Sequence, residues 1–322
     1  MTRAFVYTGT GHEIDADAAW DYIRDGYLLS PRTVLKGRTK LPSAPLTSIS
    51  LDQNKIYTYT QQTLEAAIGP VAGTRRAVMF TGGFDSLLIC LLAQRCGAKV
   101  TAVTIRFDDF NPLTVQGAVD CAHKVGIEHH IIHVKAVEFL SAVEALANIT
   151  DEPVLDLDLA IVYAALKKYD CRIAGNLIIS GMGSDQWFGD IALEAKRGGI
   201  AVRLDWAVVD EAAHQRVAQD HGCKFIFPFL SKPMLALSQS IPAVMKKDKN
   251  LLRALAVVNT IPHRGARTEI QVPNLMRRTV VKVYGDRAWP CAVSADSDSN
   301  CVDEQMLRKI ILGLWLEKAK KK

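Results

Sequence analysis

From Arg76 onward the chain alternates short apolar runs with longer stretches whose apolar residues recur at helical spacing. Ala77–Phe80, Val100–Arg106, His129–Val134 and Leu177–Ser180 read as strands; Leu87–Arg95, Thr114–Val125, Val137–Ala147 and Leu159–Tyr169 read as the helices between them. Strands that are apolar at nearly every position, separated by helices, are the pattern of an α/β fold with a parallel sheet covered by helices on both faces. Upstream, a helix at Ala16–Asp25 and a turn-rich stretch broken by Pro31, Gly37, Pro42 and Pro45 suggest a small appended module. Downstream of about Leu204 the pattern is mainly helical, interrupted at Pro228, Pro233, Pro242, Pro262 and Pro273, and closes with a helix from about Asp303. The expected division is therefore 1–70, 71–203 and 204–322, the last a helical lobe.

Composition narrows the class. Of 322 residues, 49% are hydrophobic, which excludes disorder as the main state. The 39 basic against 34 acidic residues leave +5, enough to tolerate an anionic ligand but without the bias of a nucleic-acid coat. No apolar run approaches the ~20 residues of a membrane span, the start lacks a signal-peptide layout, and seven scattered cysteines without a CxxC pair fit reduced thiols. A cytoplasmic protein with no membrane contact is expected; oligomeric state is left open.

Two glycine turns follow two of the buried strands. In the first, Thr81, Gly82, Gly83, Phe84, Asp85 and Ser86 join a strand to a helix. Glycines let successive N–H groups converge on a phosphate, the helix start adds partial positive charge, and Asp85 offers a carboxylate to a magnesium ion. The spacing is neither GxxxxGK[ST] nor GxGxxG, and a plain turn with Asp85 as helix cap is the alternative. The second turn, GMGSDQWFGD, contains Gly181, Gly183 and Asp185.

The first turn resembles the SGGxDS signature of the PP-loop ATP pyrophosphatase superfamily (adenine nucleotide alpha hydrolase-like), with Thr81 in place of the usual serine. Four further stretches are similar, in order, to the synthetase domain of the asparagine synthetase family. DEP at Asp151–Pro153 resembles its acidic motif, Ile178–Asp190 its SGEGADELFGG, Phe227–Leu230 its PFLD, and Lys249–Arg253 its KxLLR. The resemblance implies that Thr81–Ser86 hold the pyrophosphate end of ATP, Asp85 and Asp185 hold Mg2+, the backbone near Gly181 and Gly183 meets the nucleotide, and Lys249 is a mobile catalytic cation. Lys249 lies in KKDKN, which by itself reads as a solvated face. The stretch Tyr27–Ile49 resembles the end of the glutaminase domain that precedes the synthetase domain in this family, which implies that residues 1–70 are a truncated glutaminase-like remnant. Thr2 follows Met1 and the first cysteine is Cys90, so glutamine hydrolysis by this chain is not expected.

Two departures bear on substrate. Met182 replaces the glutamate of SGEG, and a thioether cannot act as a general base. Asp156 and Asp158 stand where asparagine synthetases hold aspartate, and would repel that substrate while accepting N–H donors. These observations point to an ATP-dependent synthetase that adenylates a carbonyl or carboxylate oxygen of a small molecule, releases pyrophosphate and installs a nitrogen nucleophile, without making asparagine. The alternative is thiolation of a nucleobase, nucleotide or tRNA carbonyl, with Cys121 as sulfur carrier near the carboxyl edge of the sheet. Packing of Cys121 within a helix is the plainer reading. Either reaction could draw ammonia or sulfur from a separate donor protein. Adjacent His129 and His130 face opposite sides of a strand, which argues against metal binding with His133. Arg264, Arg267, Arg277, Arg278 and Lys282 are interspersed with acids and favour a solvated surface over a nucleic-acid site.

Overall fold

The computed structural model describes residues 5–9, 11–25, 28, 31–42, 52, 55–69, 74–79, 83–108, 112–154, 156–169, 177–188, 200–258, 272–285 and 299–319. A parallel five-stranded sheet forms its centre, in the order β5 (Glu128–Val134), β4 (Lys99–Phe107), β3 (Arg75–Met79), β6 (Leu177–Ile179), β7 (Lys224–Ile226). Every pairing is parallel, with Ala77 opposite Thr101 on one side and Ile178 on the other.

After β5 the sheet grows on the other side of β3, through β6 to β7, and helices lie on both faces. Helices α3 (Phe84–Arg95) and α4 (Pro112–Lys124) follow β3 and β4 and cover one face. The other face carries α6 (Leu157–Leu166) and α8 (Ile200–Asp220), which pack on each other. Helix α6 is apolar almost all round, with Leu159, Ala160, Ile161, Ala164, Ala165 and Leu166 buried, because α5 (Ala136–Ile149) lies on its outer side.

The sequence assigned everything beyond residue 203 to a helical lobe, and the structure corrects that boundary. Strand β7 belongs to the central sheet, and α8 runs across residue 203. A three-residue strand leaves no periodicity by which to recognise it. At the other end, β1 (Phe5–Thr8) and β2 (Thr39–Pro42) pair antiparallel with α1 (Ala16–Asp25) between them, while α2 (Ile56–Ile68) packs on α3. After β7 come α9 (Lys232–Ser240), α10 (Ala243–Lys246) and α11 (Asn250–Val258); the C-terminal helices α12 (Val272–Tyr284) and α13 (Ser299–Ala319) pack together against α5, and α13 also reaches α1. The amino-terminal module and the chain end are thus joined across the α5 side of the molecule. Among the described residues no helix is long and apolar enough to cross a membrane.

Candidate active site

Strands β3 and β6 are neighbours, so the glycine turns leaving their carboxyl ends emerge side by side. Gly83 caps α3 in extended conformation, with the Ser86 hydroxyl donating to its carbonyl at 3.0 Å. Gly181 packs directly on this helix start: a Cβ there would lie 3.2 Å from the Ser86 nitrogen and 3.3 Å from the Asp85 Cβ. Gly183 has φ +97°, and a Cβ would come within 2.5 Å of Leu230 Cδ2. Both glycines are therefore required by close approach, and Gly183 also by its backbone. Leu230 ends the short 3-10 turn Pro228–Leu230, so the FPFL segment braces the second glycine turn.

After Gly183, helix α7 (Ser184–Phe188) begins with Ser184 and Asp185 in its first turn. The 3-10 turn Lys247–Lys249 packs against α7 and delivers the lysine. Lys249 Nζ donates to Asp85 Oδ2 at 2.5 Å and to Ser184 Oγ at 3.4 Å, and lies 2.7 Å from Asp185 Oδ1. Burial pushes the Asp85 carboxyl above the ordinary carboxylate range; the Lys249 ammonium pulls it back down, Asp185 pushes it up, and the Ser184 hydroxyl lowers it. Asp85 Oδ1 is buried without a hydrogen-bond partner, whereas the Asp185 side chain is 66% exposed. Two carboxylates, one with an unused oxygen and one open to solvent, on either side of a cation suit an oxygen-liganded divalent ion such as Mg2+.

Asp85, Asp185, Gly83, Ser86, Gly181, Gly183 and Lys249 are thus brought together. Phe84 lies beside them, with the Arg253 guanidinium 6.0 Å from its ring centre. Thr81 and Gly82 fall outside the described residues. Ser184, 2% exposed and touching the ammonium, was missed by sequence reasoning although it adjoins Asp185 within the second turn.

Other predicted residues sit elsewhere. Asp156 caps α6, accepting from the Asp158 amide at 2.9 Å, and both mark the end of α6 that faces the carboxyl edge of the sheet. Cys121 is buried in the last turn of α4, close to where β5 begins, beside the buried Cys90. That is the amino edge of the sheet, opposite the glycine turns, and it corrects the expected carboxyl-edge location. The acidic DEP motif serves attachment: Asp151 pairs with Arg38 and Arg216, and Glu152 with Lys40. His129 bonds Thr104, His130 pairs with Glu128 and His133 meets the Asp108 carbonyl. Among the described residues no group of three or more His, Cys, Asp or Glu is placed to hold a metal.

Residues 61–198, which carry both glycine turns, match the Asparagine synthase family. This segment is an asparagine synthase-like domain. Putative glutamine-hydrolyzing asparagine synthetases of Mycobacterium bovis and Mycobacterium tuberculosis are 30% identical over 109 residues, 34% of this chain and 16% of theirs. A 7-cyano-7-deazaguanine synthase of Chromohalobacter salexigens is 26% identical over 90 residues, 28% of this chain and 36% of that protein. The chain therefore matches about a sixth and about a third of these relatives' lengths. Among solved structures, NMN synthetase from Francisella tularensis (TM-score 0.39, 13% identity, 84% of this chain and 96% of the other) is similar. So is the U34-tRNA thiolase NcsA from Methanococcus maripaludis (TM-score 0.35, 13% identity, 84% and 93%). The matched segment begins within α2 and includes α3 to α7.

Proposed function

We propose that the chain is an ATP-dependent synthetase: an oxygen of a substrate carbonyl or carboxylate attacks the α-phosphorus of ATP, pyrophosphate departs, and a nitrogen nucleophile then displaces AMP. The observation that carries this reading is the convergence of Asp85, Asp185 and Lys249 where two glycine turns meet. The α3 N-terminus and the amides of the first turn suit the leaving pyrophosphate. Asp85 and Asp185 would hold Mg2+, which when bound neutralises phosphate charge. Lys249, beside both carboxylates, would place its ammonium on phosphate oxygens whose charge grows in the transition state. Ser184 orients both Asp85 and Lys249.

Met182 provides no proton acceptor in the second turn, so the nitrogen nucleophile arrives already neutral or is deprotonated by another group. Asp156 and Asp158 disfavour aspartate as substrate, and therefore asparagine as product. The burial of Cys121 at the opposite sheet edge favours nitrogen over sulfur carried by that residue. The test is exchange of labelled pyrophosphate into ATP, run with Mg2+ and fractionated small-molecule extract. Label should enter ATP only in the presence of an active fraction and should vanish with Asp185→Asn. Formation of ADP and phosphate in place of AMP and pyrophosphate would contradict the reading.

A further inference from the structure

Two arginines that belong to neither glycine turn stand at the start of α3. The first is Arg106, near the end of β4. Val103 of β4 lies opposite Met79, the last residue of β3, so Arg106, three residues further on, stands beside the chain that leads from Met79 towards Gly83. The register also fixes its face. Phe225 meets His214 of α8 and is aligned, strand by strand, with Ile178, Ala77 and Thr101, so these residues point to the α6 and α8 side. Side chains alternate along a strand, and Arg106, an odd number of residues beyond Thr101, therefore points to the α3 and α4 side. The guanidinium is anchored there. Arg106 Nε donates to the Asp108 carbonyl at 3.3 Å, and His133 Nε2, from the paired position on β5, meets the same oxygen at 2.8 Å. Asp108 has a φ of 41°, a left-handed conformation uncommon outside glycine, and its Oδ1 accepts from the Ala136 amide at 3.0 Å.

The second is Arg253, in the first turn of α11, a helix that packs on α3 and follows the turn that delivers Lys249. Its guanidinium lies 6.0 Å from the ring centre of Phe84, the first residue of α3. A cation in the first turn of a helix works against the helix dipole, and the first turn of α11 holds no acid to compensate. Arg253 is therefore not placed to stabilise its own helix. The site, in turn, needs positive charge if it is to take phosphates, because Asp85 and Asp185 share one ammonium, that of Lys249. We propose that Arg106 and Arg253 hold the departing pyrophosphate from two sides at the α3 N-terminus, Arg106 from the sheet and Arg253 from α11. Guanidinium groups present paired N–H donors that match phosphate oxygens, where a lysine supplies a point charge. The proposal rests on the synthetase reading and adds to it the residues that stabilise the leaving group. Neither arginine makes or breaks a bond. As the α-phosphorus parts from the bridging oxygen, the electron pair stays on that oxygen, and the guanidinium donors meet the charge that gathers on the pyrophosphate. His133 and Asp108 are positioning residues for Arg106.

The test is calorimetric titration of the full chain with inorganic pyrophosphate and, separately, with AMP, both in the presence of Mg2+. Arg106→Gln and Arg253→Gln are each expected to weaken pyrophosphate binding at least ~10-fold, about 1.4 kcal/mol, while AMP binding stays within ~2-fold of wild type. Arg106→Lys and Arg253→Lys, which keep the charge and lose the fork, are expected to lose less, ~3-fold, and they stand in for any glutamine variant that does not melt cooperatively. Pyrophosphate binding equal to wild type in the arginine variants overturns the proposal. So does equal weakening of pyrophosphate and AMP, which marks a general disturbance of the site. Titration with α,β-methylene ATP is run on the same samples and on Asp85→Ala. Arginine variants that match wild type, while Asp85→Ala abolishes nucleotide binding, defeat this proposal and leave the synthetase reading standing. A wild type that binds neither pyrophosphate nor the ATP analogue defeats both.

Discussion

Lys249 holds a backbone φ of 58°, a left-handed conformation that costs a non-glycine residue ~1–2 kcal/mol. Its ion pairs with Asp85 and Asp185 offset that cost and keep the ammonium where a divalent cation would otherwise bind. Lysine and metal therefore compete for the same two carboxylates. Lys249→Met should raise the affinity of the nucleotide-free protein for Mn2+, an EPR-visible substitute for Mg2+, by at least ~10-fold, since two facing carboxylates are left without a cation. Equal or weaker Mn2+ binding would show that the lysine does not block the site. Asp85, Asp185 and Lys249 were legible in the sequence because each sits in a short motif with fixed neighbours. The left-handed backbone at Lys249 was not, because its partners come from the first turns of two distant helices and leave no mark beside it in the sequence. Ser184 was overlooked because a hydroxyl beside an aspartate looks like any helix start.

At the scale of elements, the strands and helices of the central unit were legible because apolar runs and helical periodicity alternate cleanly between Arg76 and Ser180. The structure shifts α3 to begin at Phe84 rather than Leu87, since Gly83 is already an adequate cap. Strand β7 and the course of α8 escaped notice. The strand has three residues, and α8 mixes acids with apolar residues because one side lies on the sheet and α6 while another is solvated. Asp210 shows the same limit: nothing around it in sequence distinguishes a buried acid from a surface one. Helix α8 should also leave a mark on stability. Burial pushes the Glu211 carboxyl up to about 7 from 4.5. The folded protein then retains a proton that the unfolded chain has lost, so this residue's contribution to stability falls as pH rises from about 4.5 to about 7 and is level above. Denaturant midpoints of wild type and Glu211→Gln, measured from pH 5 to 8, should diverge in that direction. The variant should be more stable by roughly 2–3 kcal/mol at pH 8.

On the scale of the whole molecule, the amino-terminal module is fixed to the α/β unit by charges rather than by a continuous sheet. Lys40 on β2 is fully buried and reaches Glu152 at 2.8 Å, while Arg38 and Arg216 hold Asp151 from two directions. The carbonyl of Thr150 accepts from the Trp315 indole of α13, so one short loop gathers three distant segments. The sequence showed the module and the acidic motif, but a pairing over 112 residues leaves no local pattern. Lys40→Met should lower stability by ~3–5 kcal/mol, because it strands a buried carboxylate. Lys40→Met with Glu152→Gln should recover much of that loss, and thermal melts of the two variants compare them directly.

The central claim is that the two glycine turns and their carboxylates form one nucleotide site. Calorimetric titration of wild type and Asp85→Ala with α,β-methylene ATP, with and without Mg2+, tests it most directly. The account predicts one saturable, Mg2+-dependent event per chain in wild type and its loss in an Asp85→Ala protein that melts cooperatively. Absence of binding in wild type, or equal binding in the variant, would contradict it.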